Sequence, residues 1–205
     1  RGLGAPKPTG RELSVRQSDP YWQIVYGPDR VGGANNEYFY FIGIWAHGGP
    51  DGIGSIDTIY FGDEVAVNGT TPIAKYTGLI TVEHHLGTDA QTASTILTTD
   101  LPAVWTSAHR LRGHAYTVFK LKYDQDKFSD FSVERIRAQI TGRVVLDTRT
   151  GASAYSANPV LCLRDCATNS RFGLGLSAAK MDDAANNAAA NICDELVAIK
   201  AGGTE

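Results

Sequence analysis

The chain has no excess of charge of either sign, only three cysteines and no long hydrophobic run. Each shortage removes a class of function. Nineteen Lys and Arg stand against 22 Asp and Glu, a formal net charge of −3 with a pI near 6.0. Without a basic excess or a Lys/Arg run there is no electrostatic footprint for nucleic acid, so no nucleic-acid specificity is expected. The longest apolar stretch, Tyr38 to Ala46, is far too short to span a bilayer as a helix, so no membrane insertion is expected. The N-terminus, Arg1 to Gly10, is polar and rich in Gly and Pro, unlike a signal peptide. Its first residue is Arg and not Met, which reads as a segment of a longer protein. Cys162, Cys166 and Cys193 are too few, and odd in number, for a disulfide framework. No His lies near them in sequence, so each reads as a structural buried thiol.

What is present is 42% hydrophobic content over 205 residues, enough for one core or one core and a small satellite. Arg1 to Ser18 reads as an extended arm, because Pro6, Pro8 and three glycines forbid regular helix. Residues 19–150 read as a β-rich domain. Tyr21 to Tyr26 is strand-like and ends at Gly27-Pro28-Asp29. In Glu37 to His47, Tyr38, Tyr40, Ile42 and Ile44 alternate with Phe39, Phe41, Gly43 and Trp45. Both faces are apolar, which predicts a central strand covered on both sides. Gly62-Asp63-Glu64 between two apolar runs predicts a hairpin. Ile73 to His85 predicts further strand, and Thr88 to Leu97 a short helix. Tyr116 to Tyr123 is a strand whose alternation slips once, as at a bulge. Glu134 to Leu146 is one long bent strand, or two, with Gly142 at the bend.

The character changes near Gly151, and residues 151–205 read as helical. Asn158 is a good N-cap and Pro159 a good first helical residue, so a helix is expected over 159–167. It would bury Val160, Leu161, Leu163 and part of Cys166, and the glycines of Phe172-Gly-Leu-Gly175 end it. A second helix is expected from Asp182 to Ile199, with Ala185, Ala188, Ala189, Ile192, Cys193, Leu196 and Val197 as its apolar stripe. The fold class is therefore α+β: a mainly antiparallel β domain followed by two C-terminal helices.

No constellation selects a chemistry. His84 and His85 are adjacent and point to opposite faces of a strand, and His109 and His114 stand beside Arg110 and Arg112, poor company for a cation. Asp124, Asp126 and Asp130 lack the glycine a calcium loop needs, and Lys127 intrudes. Carboxylates such as Asp57, Asp63, Glu64 and Glu83 form no pair by spacing, and there is no nucleophile elbow and no phosphate-binding loop. No catalytic residue, metal or cofactor is expected.

Six strings in order point elsewhere. They are Gln23-Ile-Val-Tyr-Gly-Pro-Asp-Arg-Val-Gly-Gly33, His109-Arg-Leu-Arg-Gly-His-Ala-Tyr116, Lys120-Leu-Lys-Tyr-Asp-Gln-Asp-Lys-Phe128, Asp147-Thr-Arg-Thr-Gly151, Asn158-Pro-Val-Leu-Cys-Leu-Arg-Asp165 with Arg171-Phe-Gly-Leu-Gly175, and Ala188-Ala-Ala-Asn-Ile-Cys-Asp-Glu195. Together they resemble the hub region of lambda-like bacteriophage tail-tip proteins, the host-specificity or tip-attachment family. Thr148 stands where that family usually has Pro, and Cys166 where it has Tyr.

The resemblance implies a structural virion part at the distal end of the phage tail, not an enzyme. It implies a longer chain that assembles as a homotrimer and contacts distal tail and tape-measure proteins. Arg30, Gly32 and Gly33 would shape a tight turn in the hub sheet. Asp147, Arg149 and Gly151 would fix a turn between sheet and helices, with an Asp–Arg hydrogen-bonded pair. Asn158, Pro159 and Asp165 would start or brace the first helix, and Gly173 and Gly175 would end it. The alternative is a carbohydrate- or receptor-binding β-domain, suggested by Tyr21, Trp22, Trp45, Trp105 and Tyr155 as exposed aromatics. An enzyme, such as a cell-wall glycosidase, ranks last.

Overall fold

The structure is a computed structural model. It describes residues 12–13, 22–29, 37–128, 135–171 and 173–195, the first two ranges as backbone alone. The fold is mixed α+β with mainly β content: antiparallel sheets and, among the described residues, three α-helices, two of them near the C-terminus. The chain divides into two compact units between Arg143 and Val144.

In the first unit, strands β2 (Trp22–Asp29), β3 (Tyr38–His47), β7 (Ile80–Leu86) and β8 (His114–Lys122) form one sheet in the order β2-β3-β8-β7. A second sheet runs β1 (Glu12–Leu13), β9 (Ile136–Asp147), β4 (Ile53–Phe61), β5 (Glu64–Asn68), β6 (Thr71–Pro72). The β4–β5 turn is Gly62-Asp63, as the sequence predicts, with Phe61 opposite Glu64.

Alternation along β3 and β8 builds two cores. Phe41 and Trp45 of β3, Phe119 and Leu121 of β8, and Ile80 and Val82 of β7 face one way. They pack with Ile53, Ile56 and Ile59 of β4 and Ile136, Ala138 and Ile140 of β9. The Phe41 and Phe119 rings stack 4.6 Å apart. Each fully buried aromatic of this kind stabilises the fold by about 1.5–3 kcal/mol. On the other face, Tyr40, Ile42, Tyr116 and Val118 are covered by Leu97, Leu101 and Trp105, from helix α1 (Thr95–Asp100) and the loop after it. The central strand is thus covered on both sides, as its sequence predicts.

Several local expectations change. Strand β2 continues to Asp29, past the expected stop at Gly27, with register irregularities on either side of Tyr26. Strand β8 has no bulge: its register with β7 is continuous from Ala115 to Leu121. Leu121 simply belongs to the face opposite Tyr116 and Val118, and both faces are apolar because both are covered. The expected strand from Ile73 is interrupted by a 3-10 turn at Ala74–Tyr76 and resumes at Ile80. The helix expected from Thr88 starts only at Thr95, capped by the Ser94 side chain, which accepts from Leu97 N. Residues before it are drawn out of helix by Gln91. Its Oε1 accepts from Gly87 N at 2.9 Å, and its Nε2 donates to Arg110 O at 2.8 Å.

Glu83 of β7 also holds the start of α1. It accepts from Ser94 Oγ (2.6 Å), Thr95 N (2.9 Å) and Ile96 N (3.0 Å), and lies 3.2 Å from His85 Nε2. Partial burial works against ionisation, but these hydrogen bonds, first among them His85, lower its pKa to about 2. No helix among the described residues is long and apolar enough to cross a membrane, a statement about helices only.

In the second unit, β9 runs on past Arg143 and pairs through Val144–Asp147 with β10 (Ala152–Tyr155). Helices α2 (Pro159–Thr168) and α3 (Asp183–Cys193) follow and pack together. The apolar core here is small: Val145, Leu161 and Ala190, with Val160 partly buried against it.

Candidate functional site: a polar network in the C-terminal unit

The site candidates from the sequence collect around one arginine. The β9–β10 turn brings Arg149 back onto Asp147 two residues before it. Arg149 Nε donates to Asp147 Oδ1 at 3.0 Å and Nη2 to Oδ2 at 2.8 Å, a fork that fixes the plane of both groups. The Arg149 backbone N–H adds a third bond to Oδ1 at 2.9 Å. Gly151 N donates to Asp147 O at 2.8 Å, and Gly151 has φ +73°, a left-handed conformation that disfavours any side chain. The Asp–Arg turn expected from the sequence is present, but it joins two strands and not a strand and a helix.

The other end of Arg149 reaches α3. Nη1 donates to Asp194 Oδ2 at 2.7 Å and to Asn191 Oδ1 at 3.0 Å. Asp194 in turn accepts from Asn158 Nδ2 at 2.8 Å. Asn158 therefore does two things. Its Oδ1 accepts from Val160 N at 3.0 Å and Leu161 N at 3.4 Å, which caps α2 with Pro159 in the first turn, as expected. Its Nδ2 donates to Ala190 O at 2.8 Å, a second bond to a carbonyl in the last turn of α3 that also accepts from Asp194 N. Thr148 Oγ1 donates to Asn187 Oδ1. Arg164, which is buried, forks onto Asp183 at 2.7 and 3.2 Å.

Hydrogen bonds from Arg149 hold the Asp147 and Asp194 carboxyls below the usual range, and Arg164 does the same to Asp183. The Asp147 and Asp194 carboxylates raise the Arg149 guanidinium above its own. These charged groups hold one another, an arrangement suited to bracing a hairpin against two helices.

Asp165 lies half-buried in α2, and its carbonyl accepts from Asn169 N at 2.9 Å. Gly173 approaches the end of α2 so closely that a Cβ there would lie 1.6 Å from Cys166 O. Gly175 follows with φ +64°. Contrary to expectation, neither glycine ends the helix: α2 stops at Thr168 with Asn169 as its C-cap, and the glycines let the following segment fold back so that Leu174 N and Leu176 N donate to Cys166 O and Ala167 O. Arg30, Gly32 and Gly33 lie outside the described residues.

Three further expectations fail. Helix α2 turns Leu161, Arg164 and Ala167 inward, so Leu163 is 69% exposed and Cys166 is exposed. Helix α3 buries Ala190, while Ala185, Ala188 and Ile192 face out. The cysteines are accordingly not buried thiols: Cys162 is intermediate, and Cys166 and Cys193 are exposed. The physical reason is common to all three. Around the small core, the contacts of hairpin with α3 and of α2 with α3 are polar, so Arg164, Asp183, Asn187 and Asn191 turn toward their partners and carry the apolar stripe away.

The remaining candidates are dispersed. His84 and His85 face opposite sides of β7: His84 bonds Thr117 and Gly69, and His85 stacks on Tyr116 at 4.4 Å. Asp124 accepts from the backbone N–H groups of Asp126 and Lys127, an ordinary Asx turn. Asp130 lies outside the described residues. Among the described residues no group of three or more His, Cys, Asp or Glu is placed to hold a metal ion. Trp45 and Trp105 are core residues, 5% and 8% exposed, which removes them from the expected aromatic surface. The chain matches no family model, and no curated protein gives a significant match.

Proposed function

We propose that this chain is a structural segment of a bacteriophage or prophage tail tip, within the hub, and that its contribution is shape and not catalysis. One observation supports the reading above the others. Asp147 and Arg149 come from one string of the resemblance, Asn158 from another and Asp194 from a third, and their side chains meet in one network, with Gly151 N closing the turn onto Asp147 O. A motif whose members lock two strands to two helices explains why these residue types stand together without a reactive group among them. In this reading the full-length protein is a homotrimer at the distal end of the tail, in contact with distal tail and tape-measure proteins.

Light scattering and electron microscopy of the full-length protein test the assembly. A ring-shaped trimer is the expected result, and a monomer at high protein concentration contradicts it.

A further inference from the structure

We propose that the loop over residues 106–113, between α1 and β8, is a docking surface for an acidic polypeptide segment, gripped by Arg110 and Arg112. Elsewhere in the described chain Arg137, Arg149 and Arg164 each hold a carboxylate. Arg110 and Arg112 are both exposed and make no ion pair among the described residues. Two unneutralised guanidinium groups two residues apart stand out in a chain of net charge −3.

The free groups around them are donors. Arg110 Nε donates to Ser107 O at 3.0 Å, which fixes the guanidinium and leaves its terminal nitrogens without a protein partner among the described residues. His109 Nδ1 accepts from Thr106 N at 3.0 Å, so the neutral ring carries its proton on Nε2, another donor.

The loop is also held in shape. Leu111 has φ +45°, the one non-glycine residue with positive φ among the described residues. Strain of this kind persists only where the surroundings over-determine it. Here the buried Gln91 supplies the restraint, with Nε2 within hydrogen-bond reach of Arg110 O (2.8 Å), Leu111 O (2.5 Å) and His114 O (3.2 Å). The Leu111 side chain packs against the core beneath.

The chemistry favours carboxylates on a chain. A guanidinium fork matches a carboxylate or a phosphate equally well. A lone phosphate is held in an enclosed cradle, whereas these arginines line two open clefts of about 510 and 550 Å³ that share Arg110. Nucleic acid demands a run of phosphate contacts, and two arginines do not supply one. The surface lies in the first unit and does not depend on the tail-tip reading.

The test is fluorescence anisotropy of a labelled oligoglutamate peptide titrated with the full chain, at about 20 and about 200 mM salt. Saturable binding is expected at the lower salt, weaker at the higher. The double variant Arg110→Gln/Arg112→Gln should bind at least about ten-fold less tightly, while Lys75→Gln, which removes a surface charge elsewhere, should bind as the parent does. Replacing the arginines with lysine should leave intermediate affinity, because the charge stays and the fork is lost. Thermal melts of all variants check folding, and the arginines' exposure leads us to expect unchanged melting. No saturable binding, or equal binding by the glutamine double variant, overturns the proposal. So does an oligothymidylate of equal charge binding as tightly as the peptide through the same two arginines.

Discussion

His84 completes a hydrogen-bond chain with its neutral ring. Trp45 Nε1 donates to Thr117 Oγ1 at 2.8 Å, Thr117 lies 2.8 Å from His84 Nδ1, and His84 Nε2 lies 2.9 Å from Gly69 O. The carbonyl can only accept, so the proton is on Nε2, and Nδ1 accepts from the threonine hydroxyl. A second ring proton would face a hydroxyl already turned toward it. Burial, with His85 beside it, holds the His84 pKa below the ordinary 6.5, against the Gly69 carbonyl and the Asp57 carboxylate, which favour the charged form. The sign follows. The unfolded chain takes up this proton near pH 6.5 and the folded chain only below it, so the stability is full above pH 6.5 and declines as pH falls through that value. Glu83 acts in a separate window, losing its contribution from about 4.5 down to about 2. Stability by denaturant titration should therefore fall between about pH 7 and about pH 5 in the parent, and His84→Gln, which keeps a donor and an acceptor but does not titrate, should flatten that fall. An unchanged slope would show that the proton goes elsewhere. Thr117→Val keeps the shape and strips the hydroxyl from two partners, and should cost about 1–3 kcal/mol. None of this chain was legible in the sequence. Trp45, Gly69, His84 and Thr117 are brought together only by sheet pairing, and no local pattern marks them.

At the scale of elements, what could be read locally was read well. The double apolar alternation of β3, the Gly62-Asp63 hairpin, the Asn158-Pro159 helix start and the Asp147–Arg149 turn each depend on residues a few positions apart. The phase of the two C-terminal helices depends on partners far away: Arg149 reaches Asn191 and Asp194, 42 and 45 positions on. Apolar periodicity alone therefore set the phase of α3 wrongly, since Ala190 is its buried residue and Asp183, Asn187 and Asn191 hold polar partners instead of Ala185, Ala188 and Ile192 packing inward. Asn158 separates the two kinds of contact. Asn158→Ala loses the cap and the donor to Ala190 O, and should cost about 1–3 kcal/mol in thermal or denaturant unfolding. Asn158→Asp keeps the cap acceptor but sets a second carboxylate beside Asp194. If the network matters as argued, the aspartate variant is destabilised as well. If the cap were all, it would be as stable as the parent.

For the whole molecule, composition and periodicity made the α+β class and the mainly antiparallel sheets legible. They did not reveal that two sheets share one aromatic core through Phe41, Phe119 and the β4 and β9 isoleucines, because facing strands carry no mark of which sheet they join. The candidate site was half legible: the turn and cap residues were identified, while Arg164, Asp183, Asn187, Asn191 and Asp194 were missed for want of any local signal. The tail-tip reading rests on six ordered strings and on the way three of them meet around Arg149. Immunogold electron microscopy of phage particles, using antibodies raised against this chain, tests that reading most directly. Gold at the distal end of the tail is the expected result. Particles without label, or label on the capsid alone, would contradict it.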